Sequence, residues 1–155
     1  MDESGQGFVL ELRRSLRSPR VRVFDALVDP AALAAWWGPA GFTTPEIAVD
    51  AVVGGSYRFG MQPPDGELFH LTGRYVEIER PHRLVYTLRW EEPDPDDRDT
   101  VAELVLHETG DGTDVALTHG RFLTEARLEL HRQGWTDSFD RLAGFLESSA
   151  DQRRG

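Results

Sequence analysis

Among its 155 residues the chain has no cysteine, no lysine and no asparagine. Each absence removes a class of chemistry. Without cysteine there is no disulfide framework, no thiolate nucleophile and no Cys-ligated zinc or iron–sulfur centre. Without lysine there is neither a Schiff base nor a P-loop phosphate lysine. Without asparagine there is no N-glycosylation acceptor. Long apolar runs are missing as well, and nothing approaches the roughly 18 residues of a membrane-crossing helix. Residues Met1-Asp2-Glu3-Ser4-Gly5-Gln6-Gly7 carry neither a basic n-region nor an apolar h-region, so no secretory leader is expected. Any catalysis falls to five histidines, the carboxylates and the hydroxyls.

What is present is strongly acidic. All 17 basic residues are arginine, and 27 acids bring the net charge to −10. A nucleic-acid binder needs a basic stripe, and none is visible. The length suits one domain, residues 1–155 with an ordered core over about 8–148, able to bury about 70% of its extended surface. An apolar content of 39% argues against disorder. The expected setting is the cytoplasm. An all-arginine basic set with abundant Ala and Asp points to high-G+C coding and a bacterial source.

Alternation through Phe8, Leu10 and Leu12 predicts an opening strand. Ser18-Pro19 then reads as a cap and first helical residue, with Val23, Phe24 and Leu27 on one short helical face. Asp29-Pro30 repeats the device before a second short helix from Ala31 to Trp37, stopped by Gly38-Pro39. Strand patterns follow at Ile47 to Ala51, at Tyr57, Phe59 and Met61, and from Leu68 to Glu79 with a bulge expected near Gly73. Leu84, Tyr86, Leu88 and Trp90 give another apolar face, and Val101 to Glu108 pairs with Thr113 to His119 around Gly110-Asp111-Gly112. Thr124 caps a last helix to about Ser148, with a frayed tail beyond. Its apolar stripe runs through Leu128, His131, Trp135, Phe139 and Leu142. Gly134 interrupts that stripe at a cost of about 1 kcal/mol against alanine, which implies either a close backbone approach or room left for something else. The order predicts an α+β helix-grip fold: a seven-stranded antiparallel curved sheet, two short helices, and a long C-terminal helix on the concave face.

Ser18-Pro19, Val23-Phe24-Asp25-Ala26-Leu27, Asp29-Pro30, Trp36-Trp37-Gly38-Pro39 and Gly41-Phe42 stand in an order that resembles the activator-of-heat-shock-protein-90-ATPase-like branch of the START-like (birch-pollen-allergen-like) superfamily. Val53-Gly54-Gly55, Pro64-Asp65-Gly66, Gly73 with Glu77-Ile78, Thr118-His119 and His131 with Gly134-Trp135 extend the match from about residue 8 to about 148. The resemblance implies a cavity between sheet and C-terminal helix. Relatives bind sterols, lipids, aromatic polyketides and plant hormones, a minority are cyclases or hydrolases, and the eukaryotic name-giver stimulates a chaperone ATPase.

On that basis the aromatic residues Trp36, Trp37, Phe42, Tyr57, Phe59, Phe69, Tyr86, Trp90, Trp135 and Phe139 either line a cavity or fill the core. Met61, Leu88 and Leu117 share their inward faces. His119, in phase with Val115 and Leu117, is expected to point inward, and His131 lies one turn before Trp135. Both are candidates for orienting a ligand or moving a proton, and equally for hydrogen-bonded core histidines. The five histidines form no HxH or HExxH pair, so no metal is expected, and no cofactor. The run Glu91 to Asp99, with six acids and one arginine, holds half the net charge and reads as a solvated hairpin loop that also rims the cavity mouth. The expected function is binding of a small, mainly hydrophobic molecule by a monomer or homodimer. The alternatives are a chaperone co-activator or interaction module, and a cyclase- or hydrolase-like enzyme using His119 or His131. A wall lacking any ready nucleophile favours the binder.

Overall fold

A computed structural model of the chain describes residues 7–154, with side chains as far as 148. The elements run β1 (Phe8–Leu16), α1 (Arg20–Val28), α2 (Pro30–Trp36), β2 (Thr43–Val49), β3 (Ser56–Gln62), β4 (Phe69–Glu79), β5 (Arg83–Trp90), β6 (Thr100–Glu108), β7 (Thr113–Phe122) and α3 (Glu125–Arg154). The strands make one antiparallel sheet ordered β1-β7-β6-β5-β4-β3-β2. The helices α1 and α2 join its two edge strands, so the chain crosses the molecule once and then returns by hairpins. The architecture is the α+β helix grip expected from the pattern. Of the N-terminal heptapeptide read as leader-free, only Gly7 lies within the described residues.

The period-2 patterns become the buried face of the sheet. Tyr57, Phe59 and Met61 on β3, Leu84, Tyr86 and Leu88 on β5, Ala102, Leu104 and Leu106 on β6, and Val115, Leu117 and His119 on β7 all point inward. They meet Leu128, Trp135, Phe139, Leu142 and Leu146 of α3, Phe24 and Leu27 of α1, and Leu33 and Trp36 of α2. Burying a side chain of this kind contributes roughly 1.5–3 kcal/mol, so this face is the main source of stability.

Three local expectations shift. The α1 cap is Pro19, not Ser18, and makes no side-chain cap bond. Ser18 instead offers its carbonyl to the Thr113 hydroxyl (2.7 Å), and its own buried Oγ has no partner among the described residues. The β4 bulge falls between Tyr75 and Glu77, not at Gly73. Gly73 is needed for close approach, because a Cβ there would overlap the Thr87 carbonyl and the Tyr57 ring. Finally, α3 continues to Arg154, about a turn and a half past Ser148, where a frayed tail was expected.

The second cap behaves as expected: Asp29 accepts from the Ala32 N–H at 2.9 Å, with Pro30 in the first turn. Asp29→Ala should therefore cost about 1 kcal/mol in urea unfolding. Ser18→Ala, which removes a buried hydroxyl without a partner, should be neutral or stabilising. The reverse order of effects would show that the cap assignment is wrong.

Candidate functional site

Between the inner face of the sheet and α3 lies a cleft of about 280 Å³. Four parts of the chain build it. Helix α3 presents Arg127, Leu130, His131, Gly134, Trp135 and Ser138, the single stripe that 3- and 4-residue spacing draws. The strands supply Met61, Phe69, Leu71, Leu88 and Trp90. The segment after α2 supplies Trp37, Gly38, Pro39 and Phe42, and the β5–β6 loop closes the mouth with Glu92, Asp94 and Asp97.

The segment after α2 is fixed from α3. Gly38 takes φ 112°, a conformation that a side chain would strain, and its N–H donates to Ser138 Oγ at 3.0 Å. Arg141 donates to the Trp37 and Gly38 carbonyls at 3.1 Å and to the Pro39 carbonyl at 3.3 Å. Trp37 is thereby held edge-on to both Phe59 and Trp135, at 5.0 and 5.4 Å between ring centres. Its buried indole N–H meets no acceptor among the described residues. Gly134 resolves its two readings. A Cβ there would meet nothing nearer than Pro39 Cγ at 3.9 Å, so no backbone approaches and the space is left open.

Eight of the candidate residues from the sequence meet around this space: Trp37, Phe42, Met61, Phe69, Leu88, Trp90, His131 and Trp135. The other seven stand behind them. Trp36 is 1% exposed and donates to the Ala26 carbonyl (2.9 Å). Phe59 backs Trp37, and Phe139 backs Trp135 at 5.5 Å. Tyr57 and Tyr86 cluster with Tyr75 and join the wall through Phe59, 4.8 Å from Tyr57; Tyr57 donates to the Thr87 carbonyl at 2.6 Å. Burial pushes both of their hydroxyl pKa values well above the ordinary tyrosine range. Leu117 lies in the β7 core, and His119 is fully buried behind Trp135.

The two inward histidines have defined and opposite tautomers. An indole N–H only donates, so Trp135 Nε1 at 3.0 Å makes His119 Nδ1 an acceptor. His119 Nε2 then carries the proton and donates to Thr100 Oγ1 at 2.8 Å. At His131 the roles exchange: Nε2 accepts from Trp90 Nε1 at 3.3 Å, and Nδ1 donates to the Arg127 carbonyl at 2.9 Å. Both rings are neutral. Burial, reinforced by neighbouring His131, pushes the His119 pKa down to about 3. Burial also lowers His131, partly opposed by its bond to the Arg127 carbonyl.

The acidic loop is not simply solvated. Arg127, whose side chain is 14% exposed, offers Nε to Asp96 (3.0 Å), Nη1 to Asp97 (3.4 Å) and Nη2 to Asp94. Asp96 also accepts from Thr124, the residue that caps α3 through the Arg127 N–H. Arg127 and then Thr124 hold the Asp96 pKa below the ordinary aspartate range. Sequence reasoning missed Arg127, although counting back four residues from His131 reaches it. Next to the mouth, His70 bridges Glu92 (2.9 Å) and Glu46 (3.1 Å), and its hydrogen bond to Glu92 is the main reason its pKa is raised. His70, Glu91 and Glu92 bring possible ligand atoms within 4.8 Å of one another. Those groups are already paired, because Arg58 grips Glu91 with two bonds of 2.8 Å and His70 uses both ring nitrogens.

Ring nitrogen NMR between pH 6 and 8 should give Nε2–H for His119 and Nδ1–H for His131. His119 should stay neutral until the pH falls toward about 3, and His131 should take up its proton below the ordinary histidine value. The unfolded chain takes up the proton near pH 6.5, which folded His119 refuses until about 3. The stability it contributes is therefore complete above about pH 6.5 and is lost as pH falls toward 3, by at most about 1.4 kcal/mol per unit. A charged His119 at pH 6 would contradict the assignment.

Solved structures with the same fold come from several bacteria. A Chromobacterium violaceum protein is 30% identical, with a TM-score of 0.83 over 90% of this chain and 96% of its own. The AHSA1 protein of Silicibacter pomeroyi is 25% identical, with a TM-score of 0.80 over 91% and 99%. A Nitrosomonas europaea protein is 25% identical, with a TM-score of 0.80 over 92% and 96%. No curated protein matches the sequence. Residues 17–147 match the family described as Activator of Hsp90 ATPase homolog 1-like protein. With that match spanning most of the chain and the helix-grip fold beneath it, the protein belongs to the activator-of-Hsp90-ATPase-like family of the START-like superfamily.

Proposed function

We propose that this protein binds a small, mainly apolar ligand in the cleft under α3, in the cytoplasm of a bacterium. One observation carries the reading: the apolar helix stripe is broken by a glycine over open space walled by three of the four tryptophans. Apolar, preformed concavities with a few polar groups at one end are the usual form of small-molecule sites. At about 280 Å³ the cleft sits at the small end of such sites, which suits a ligand of one or two rings. The reading is of a binder and not an enzyme, because both inward histidines spend their ring nitrogens on indoles, a hydroxyl and a carbonyl.

The family name brings a second reading, contact with a chaperone ATPase. Val52 and Val53, 55% and 66% exposed on the β2–β3 turn, and the −10 charge are the features on its side. A purified bacterial Hsp90 whose ATPase rate is unchanged by this protein would count against it.

Indole N–H signals give a direct test. The neutral probe 2-naphthalenemethanol should shift Trp37, Trp90 and Trp135 and leave Trp36, bonded to Ala26 outside the cleft, in place. Gly134→Ala should keep binding and gain about 1 kcal/mol of stability. Gly134→Leu, folded by circular dichroism, should weaken binding at least about tenfold. Unchanged affinity in Gly134→Leu would remove the cleft as the site.

A further inference from the structure

We propose that the ligand received by this cleft carries a protonated amine, bound at the mouth by Asp97 with its apolar body among the indole rings. This inference rests on the reading of the cleft as a ligand site and adds the charge of what enters it.

Arg127 is the one arginine among the described residues lining the cleft. A carboxylate ligand would look to it first, but each part of its guanidinium already faces an aspartate: Asp94, Asp96 and Asp97. Around this guanidinium three aspartates are gathered against its one positive charge. The nearby His131 is neutral and adds no compensation, since its Nε2 accepts from Trp90. An anion would have to displace an aspartate and then sit beside it.

Asp97 itself points to a donor. Its side chain is only 8% exposed and belongs to the cleft wall. Oδ2 accepts from the Asp94 N–H at 2.7 Å. Oδ1 is approached by Arg127 Nη1 at 3.4 Å, beyond the usual range of a good N–H···O bond. A carboxylate can accept about four hydrogen bonds, so among the described residues this largely buried one has capacity beyond those two contacts. An ammonium group supplies three donors and the missing charge. The wall suits such a group as well: the indoles of Trp37, Trp90 and Trp135 line the cleft, and indole rings attract cations most strongly where water is excluded. At longer range, the −10 net charge raises the local concentration of any cation.

The test uses three probes that share one ring system: 2-naphthylmethylamine, 2-naphthalenemethanol and 2-naphthoate, titrated at pH 7 while the indole N–H signals are followed. The amine should bind at least about tenfold more tightly than the alcohol, which is within the reach of a close ion pair. The naphthoate should be the weakest of the three. Asp97→Asn should bring the amine to within about twofold of the alcohol. Glu92→Gln, at a more exposed position of the same mouth, should reduce the preference by a smaller factor if Asp97→Asn disturbs the loop. Naphthoate binding as tightly as the amine, with the alcohol also bound, would overturn the charge inference and leave the cleft reading intact. An amine that shifts no wall indole, or that keeps its full preference in both variants, would overturn it too. Failure of all three probes to move the wall indoles would overturn the cleft reading and this inference together.

Discussion

The indole N–H of Trp135 is buried, and a buried donor left unmet costs about 1–3 kcal/mol. His119 meets it at 3.0 Å and passes the demand on to the Thr100 hydroxyl, 2.8 Å from its other nitrogen. This chain of two bonds ties α3 to β7 and β6 at the centre of the molecule. It fixes the rotation of α3 about its own axis, and so decides which stripe of the helix faces the sheet. Once Trp135 is set, Gly134 and His131 fall over the cleft, Ser138 reaches Gly38, and Phe139 goes into the core behind. The tautomer of His119 is a consequence of the same bond. An imidazolium has no lone pair to offer Trp135, so burial and hydrogen bonding both favour the neutral ring.

Electrostatics complete at the mouth what the indole bond begins at the centre. The run from Glu91 to Asp99 concentrates half of the net charge, and self-repulsion alone would spread it into solvent. Arg127 reverses that tendency by gathering Asp94, Asp96 and Asp97 around one largely buried guanidinium. The planar fork of arginine suits several carboxylates at once, which a lysine point charge could not reproduce with the same geometry. The lack of lysine, which excluded chemistries at the level of composition, thus leaves at the cleft a cation that cannot change its protonation state.

Periodicity made most of the fold legible, and only part of the site. Tyr57, Phe59 and Met61 alternate so cleanly that their inward direction could be read at once, and all three are inward. Direction does not tell whether an inward side chain meets protein or open space. Met61 lines the cleft while Phe59, two residues earlier on the same face, packs behind Trp37. Distances across the chain were equally hidden. Nothing near residue 94 announces that its partner is Arg127, because the pairing depends on how the β5–β6 loop folds over α3. At α1 the pattern misled for a local reason: Ser18 has the right chemistry for a cap, but the chain turns one residue later.

Gly134 shows how these constraints bear on function. A glycine inside a long helix costs about 1 kcal/mol against alanine, and here no crowding explains it, since a Cβ would have 3.9 Å of clearance. Three of its four neighbours on the stripe are large: Leu130 and His131 on one side, Trp135 with the small Ser138 on the other. A side chain of leucine size at this position would extend the packing of Trp37 against Trp135 and convert the cleft into ordinary core. Close packing is the default state of a protein interior, so open space beside three indoles has to be maintained by residues that decline to fill it. Gly134 does this on the helix. On the facing segment, Gly38 does so by holding Trp37 and Pro39 at the rim through a backbone conformation that only glycine adopts without strain.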